Sequence, residues 1–337
     1  MSERIWTPAA PAVVPSRALE AEVRTAALGF EGHFTVELVH APSGLVRRRL
    51  EFRNVITDAG LNFIGTGPIS DEINFLAVGS GSTPPATTNV SLEAQVGART
   101  SSNGGYADSY GTNSSAAPPY QYCRRTRVFV EAEANGNLTE LGFFSAATGG
   151  TMFNRQLFRD AGGVPTTITK TNTDQLRVTF EWRLIAPADD VTGEITLSGP
   201  GTVHQFTCRA QRNLMGGYWA KGSTGGWSAV EQLGYWTVNN RMVANNATAL
   251  AAPTASQSRA NYINSASAAL AAYTSGSMFR ESTYNFEPNQ GNMNVTGTEF
   301  GYAAYADPFF QSLITPAIPK TDTRRLVLGM RMSWGRA

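Results

Sequence analysis

From Phe34 onward, apolar and polar residues alternate with a period of two. Phe34, Val36 and Leu38 share one face, opposite Thr35 and Glu37, and Arg48, Leu50 and Phe52 continue after a turn at Pro42-Ser43-Gly44. Such alternation predicts strands. The run Asp174–Leu184 carries it furthest. Leu176, Val178, Phe180, Trp182 and Leu184 point one way, and Arg177, Thr179, Glu181 and Arg183 the other, as in an antiparallel sheet with one wet face. Further strands are predicted at Ile73–Val78, Arg124–Glu133, Leu138–Phe144 and Met152–Phe158, with a hairpin at Asn135-Gly136, where both residues tolerate positive φ. In the second half Ile195 and Leu197 alternate, then Phe206 and Cys208.

Helical signals are few. Thr57 or Asp58 can cap a short turn that carries Leu61, Phe63 and Ile64 inward. Ser16 can cap another, with Leu19, Val23 and Ala27 in one stripe and Glu20 four residues before Arg24. The Ala- and Leu-rich stretch at Ser265–Tyr273 predicts the one clear helix of the second half. The Gly, Ser, Thr and Pro residues of 79–85 stop any regular element. Residues 98–120, almost wholly polar or turn-forming, read as a long surface loop.

These signals predict an all-β protein with an extended N-terminal arm over 1–30 and two tandem, related antiparallel β-sandwich domains at 31–187 and 188–337, plus a few short helices. The domain boundary falls at Ala186-Pro187-Ala188-Asp189-Asp190. The relation between the halves rests on repeated segments in the same order. Lys170-Thr171-Asn172-Thr173-Asp174-Gln175-Leu176 aligns with Lys320-Thr321-Asp322-Thr323-Arg324-Arg325-Leu326, and each opens an alternating strand. Leu326, Leu328, Met330, Met332 and Trp334 form the apolar face of the second. Asn135-Gly136-Asn137-Leu138 matches Gln290-Gly291-Asn292-Met293, and Glu140-Leu141-Gly142-Phe143 matches Glu299-Phe300-Gly301-Tyr302. Phe52-Arg53 likewise corresponds to Cys208-Arg209.

Composition narrows function more by exclusion. Charged residues make up 16% of the 337-residue chain and balance to +1, so no strong field attracts nucleic acid or anionic lipid. No apolar run approaches the roughly 20 residues needed to span a bilayer, and the N-terminus lacks a signal-peptide pattern. Two cysteines, Cys123 and Cys208, suit a reducing compartment, as buried thiols or as one bridge. His33, His40 and His204 lie in or beside strands, far from any metal-ligand spacing. The chain has no nucleophile elbow or phosphate-binding loop. Glu131/Glu133 and Asp189/Asp190 are the acidic pairs a glycosidase reading would use; a strand's solvent face and a linker are their ordinary roles. The basic runs Arg47-Arg48-Arg49 and Arg124-Arg125-Thr126-Arg127 split across two strand faces, which breaks up a phosphate-binding stripe. No catalytic residue, cofactor or metal is expected.

Candidate contacts are therefore surfaces. Trp6, Leu19 and Val23 suit an arm lying on a neighbouring subunit, and Tyr106 and Tyr110 offer large contact area for little entropy. Trp219, Trp227 and Trp236, among several asparagines, suit stacking on a sugar, against the plainer role of filling a core or interface.

Several ordered motifs carry a resemblance. Asn54-Val55-Ile56-Thr57-Asp58-Ala59-Gly60-Leu61, then Val78-Gly79-Ser80-Gly81-Ser82-Thr83, then Ser91-Leu92-Glu93 resemble a module of tailed-bacteriophage virion proteins. Thr139–Phe144, Met152–Phe158, Pro165–Lys170, Leu176–Arg183, Pro316–Lys320 and Ser333–Arg336 extend it over most of 33–337. The resemblance implies a virion structural part of the tail-fibre, collar or neck-associated kind. A tail- or neck-attached assembly protein is expected, in the virion after assembly in the host cytoplasm. Its partners would be copies of itself, as a ring or trimer, and other virion proteins. Capsid decoration and a receptor module for a host surface glycan are the alternatives.

Overall fold

The computed structural model describes residues 19–24, 27–67, 69–113, 115–118, 120–185, 187–197, 201–210, 242–251, 260–300 and 310–337. The first half runs β1 (Leu19–Arg24), β2 (Leu28–His40), β3 (Leu45–Arg53), β4 (Val55–Ile56), helices α1 (Asp58–Phe63) and α2 (Ile69–Glu72), and β5 (Phe75–Gly79). It continues through β6 (Ser109–Asn113), β7 (Tyr120–Phe129), β8 (Gly136–Leu138), β9 (Glu140–Phe144), β10 (Met152–Leu157), β11 (Ile168–Lys170) and β12 (Asp174–Ile185). The second half comprises β13 (Val191–Thr196), β14 (Val203–Ala210), β15 (Met242–Asn245), β16 (Tyr262–Asn264), β17 (Ser267–Leu270) and β18 (Phe279–Phe286). A 3-10 turn (Pro288–Gln290) leads to β19 (Met293–Phe300), β20 (Phe310–Lys320) and β21 (Leu326–Arg336).

The protein is predominantly β, in several antiparallel sheets. The strand with the longest alternation, β12, sits between β2 and β7 and pairs with both. Its Leu176, Val178, Phe180 and Trp182 are fully buried. They meet a four-stranded sheet, β4-β10-β9-β5. Phe180 lies 5.4 Å from Phe143 of β9, 6.1 Å from Phe153 of β10 and 5.1 Å from Phe34 of β2 (ring centroids). In the second half β21 buries Leu326, Leu328, Met330, Met332 and Trp334. Tyr284 of β18 meets Phe300 of β19 edge-on, 5.6 Å apart, linking β21's sheet to the six-stranded sheet β13-β14-β20-β19-β15-β16.

The halves are joined. Strand β21 runs parallel to β1 (Leu19 opposite Leu326) and then to the start of β2 (Leu28 opposite Trp334), so one nine-stranded sheet takes strands from both. One continuous hydrophobic cluster contains Phe180, Trp182, Phe206, Tyr284 and Trp334. Helix α1 seals the seam. Thr57 caps it, its Oγ1 accepting from Gly60 N at 2.9 Å. Trp334 donates its indole N–H to Leu61 O at 2.9 Å and stacks on Tyr273 at 6.0 Å. Asn62 accepts from Tyr273 Oη at 3.0 Å and Gly276 N at 2.6 Å. A Cβ on Gly65 would fall 2.2 Å from the Tyr273 ring, so only glycine lets the two meet.

Five expectations change. Leu19–Arg24 is a strand rather than a helical stripe, because the exposed edge of β21 supplies partners for its backbone groups. Ser267–Leu270 is also a strand, paired with β18, so sheet pairing overrides the helical propensity of its alanines. The polar stretch 98–120 is not all loop: Ser109–Asn113 covers the edge of β7. Asn135 and Gly136 lead from a turn into β8 but close no hairpin. Strand β8 pairs with β11, away from β7, so the turn carries the chain between sheets. Glu131 and Glu133 occupy this turn instead of a strand's wet face.

That turn and the one before β19 are each held by a buried lysine. Lys170, its side chain buried, donates to Val130 O (2.8 Å), Glu131 O (3.2 Å) and Asn135 Oδ1 (2.9 Å). Lys320, also buried, donates to Pro288 O (3.2 Å) and Thr321 O (2.9 Å), with Gly291 O at 3.5 Å. Burial lowers the pKa of both.

Candidate binding face

The wet face of β12 is the floor of a hollow. Register builds it from three transverse rows. In the middle row Glu51, Thr35, Thr179 and Thr126 stand side by side on β3, β2, β12 and β7. On one flank lie Arg49, Glu37 and Arg177; on the other lie Arg53, His33, Glu181 and Arg124. Threonine is short and its neighbours are long, so the middle row sinks. A cavity of about 450 Å³ results, open along its top.

The flanking charges neutralise one another both across and along the strands. Arg177 donates to Glu37 at 2.6 Å, and Arg49 reaches Glu37 at 3.3 Å and Glu51 at 2.5 Å. Glu181 accepts from Arg124 and from Arg183, each at 2.6 Å. His33 bonds Glu31 at 3.0 Å, and Arg53 meets Glu31 at 3.3 Å. Thr126 and Thr179 share a hydrogen bond of 2.9 Å. Burial lowers the pKa of His33 despite the Glu31 bond, which favours a neutral ring near pH 7. The hydrogen bond that Arg49 donates to Glu51 raises the pKa of Arg49, and against burial, which lowers it, the bond to Glu37 raises that of Arg177. Arg49, Arg124 and Arg183 therefore face Glu37, Glu51 and Glu181, leaving a lining rich in donors and acceptors with no net charge.

Tyrosines border this face. Guanidinium groups lie over three of their rings: Arg183 over Tyr120 at 4.2 Å, Arg124 over Tyr122 at 4.4 Å and Arg177 over Tyr106 at 4.8 Å. Of the two tyrosines singled out from sequence, Tyr106 is 44% exposed beside Arg177, while Tyr110 packs against the core. The backbones of Leu19 and Val23 lie opposite Leu326 and Met330. Trp6, Trp219, Trp227 and Trp236 lie outside the described residues. Sequence reasoning placed Arg177, Thr179, Glu181 and Arg183 on a wet face but missed His33, Glu37, Arg49 and Glu51 as their neighbours. Only strand register brings them together.

The other candidates have structural partners. Cys123 and Cys208 are buried and not disulfide-bonded. His204 is buried, its Nδ1 at 2.6 Å from Pro316 O. Arg125 and Arg127 turn inward to Asp108 and Asn74 while Arg124 faces out, which divides the basic run as alternation requires. Among the described residues, no group of three or more His, Cys, Asp or Glu is placed to hold a metal, and no helix is long and apolar enough to cross a membrane. Comparison of the chain with protein-family models, curated proteins and solved structures returns no match.

Proposed function

We propose that this chain is a structural component of a tailed-phage virion, attached at the tail or neck and acting by assembly with other proteins rather than by catalysis. The order of its motifs supports this reading, and so does the work those motifs do. Asn54–Leu61 forms the β4 strand and the cap of α1, and the Gly-rich stretch after Val78 wraps the buried carboxylate of Glu140. These are scaffold duties.

One observation carries the reading furthest. The chain's early segment is laid as a parallel strand along β21, its last strand. An extended segment that adds to a sheet edge within one chain can add to the same edge in the next, the usual route to exchanged arms. In this proposal residues 1–30 are the arm, 31–187 and 188–337 are related β-sandwich units, and copies form a ring or trimer. The matching roles of Lys170 and Lys320 support the kinship of the units.

Quantitative proteomics of purified virions of the encoding phage tests this. A low copy number, on the scale of a symmetric ring, is expected. A capsid-covering number would move the protein to decoration, and absence from the particle would end the proposal. Sedimentation of the pure protein should give a closed oligomer that removal of residues 1–24 dissociates.

A further inference from the structure

We infer that the hollow on the β3-β2-β12-β7 face is a binding site for a neutral oligosaccharide. Its volume of about 450 Å³ lies within the roughly 300–1,000 Å³ of small-molecule sites. Four strands at about 4.8 Å spacing make it roughly 14 Å long, and the flanking rows stand about 14 Å apart along the backbone. That is a shallow hollow about as wide as it is long between the backbones of its flanking rows, with room for a short sugar chain.

The lining selects the chemistry. A sugar presents hydroxyls that both donate and accept. Here carboxylates of Glu37, Glu51 and Glu181 accept, guanidinium groups of Arg49 and Arg124 donate, and the hydroxyl of Thr179 does either. The positions are already fixed by ion pairs of 2.5 to 2.6 Å, so little ordering is required on binding. The three carboxylates and three guanidinium groups balance, so the lining offers no net attraction to a ligand of either charge, whereas an uncharged polyol can bond to both kinds of partner. The exposed Arg49–Glu51 pair in particular adds little to stability, since such surface pairs contribute only about 0.2–1 kcal/mol.

This inference stands apart from the virion proposal: a binding slot can exist on a protein of any location, and a virion part need not bind sugar. The full chain would be read on a printed array of neutral and acidic oligosaccharides. Calorimetric titration with the strongest neutral tetrasaccharide would follow, comparing native protein with Thr179→Arg and Thr179→Val. The arginine fills the floor of the slot; the valine removes one hydroxyl from it at nearly constant volume. Saturable binding of a neutral sugar is expected, abolished by Thr179→Arg and weakened about fivefold by Thr179→Val, with the valine variant still melting in one cooperative transition. A silent array overturns the inference, as does a preference for acidic sugars that salt removes. Binding that survives Thr179→Arg assigns recognition elsewhere and also overturns it. A silent array with an oligomer that Thr179→Arg dissociates would make the face a contact between copies instead.

Discussion

Glu140 and Arg155 form a fully buried ion pair, Oε2 to Nε at 2.8 Å, on neighbouring strands β9 and β10. Around it the Gly-rich stretch is tied down. Glu140 also accepts from the backbone N–H of Gly81 (3.2 Å), Glu93 (3.2 Å) and Ala94 (2.9 Å). Arg155 reaches Thr83 O at 3.0 Å and Asn89 Oδ1 at 3.1 Å. A Cβ on Gly81 would come 2.5 Å from the carboxylate, which explains the glycine. Removing one partner strands a buried charge. Arg155→Met is expected to destabilise the fold by about 3–5 kcal/mol, measured by urea unfolding, and to open residues 80–95 to protease. A loss below about 1 kcal/mol would show that the pair does not hold the loop.

The seam at α1 predicts cooperative unfolding of both halves. Trp334 is buried, stacked on Tyr273 and bonded to Leu61, and Arg336 bonds Ile56 O at 2.7 Å. Trp334→Ala should cost about 3–5 kcal/mol and lower the melting temperature of the whole chain. Calorimetry should show one transition. Two well-separated transitions, with only the later half affected by the substitution, would contradict the shared core.

Lys170 and Lys320 give a paired comparison. Each lysine ties main-chain carbonyls of a turn between sheets, so Lys→Met at either site leaves those carbonyls unpaired, at about 1–3 kcal/mol. Similar losses at both sites are expected in chemical denaturation. A large loss at one and none at the other would mean the two turns are held differently.

Cys208 supplies a pH test. Burial pushes its thiol up to about 12, from an ordinary value of 9.0, with the Asp190 carboxylate adding to the shift. Above pH 9 the unfolded chain loses this proton while the folded chain keeps it. Folding stability should therefore fall as pH rises from about 9 towards 12. Cys208→Ala should flatten that alkaline slope. In the native protein Cys208 should resist iodoacetamide at pH 9 and react after unfolding, as read by peptide mass spectrometry. Rapid native alkylation would refute its burial.

The alternation from Leu176 to Leu184 and from Leu326 to Trp334 was enough to assign strands and their buried faces, because side-chain direction follows a period of two wherever one face is dry. The cap at Thr57 and the turn at Gly44 were equally legible, since local backbone geometry demands those residue types. Strand partners were not. Nothing local tells Leu19–Arg24 to lie beside β21, or Ser267–Leu270 to pair with β18 against its propensity. The threonine row depends on residues as distant as Thr35 and Thr179 meeting in register, a choice made by which aromatic faces pack together on the opposite side of the sheet. Alternation is a property of a few neighbouring residues, whereas pairing is settled by core packing across the whole chain, and that is why the hollow exists only in the folded molecule.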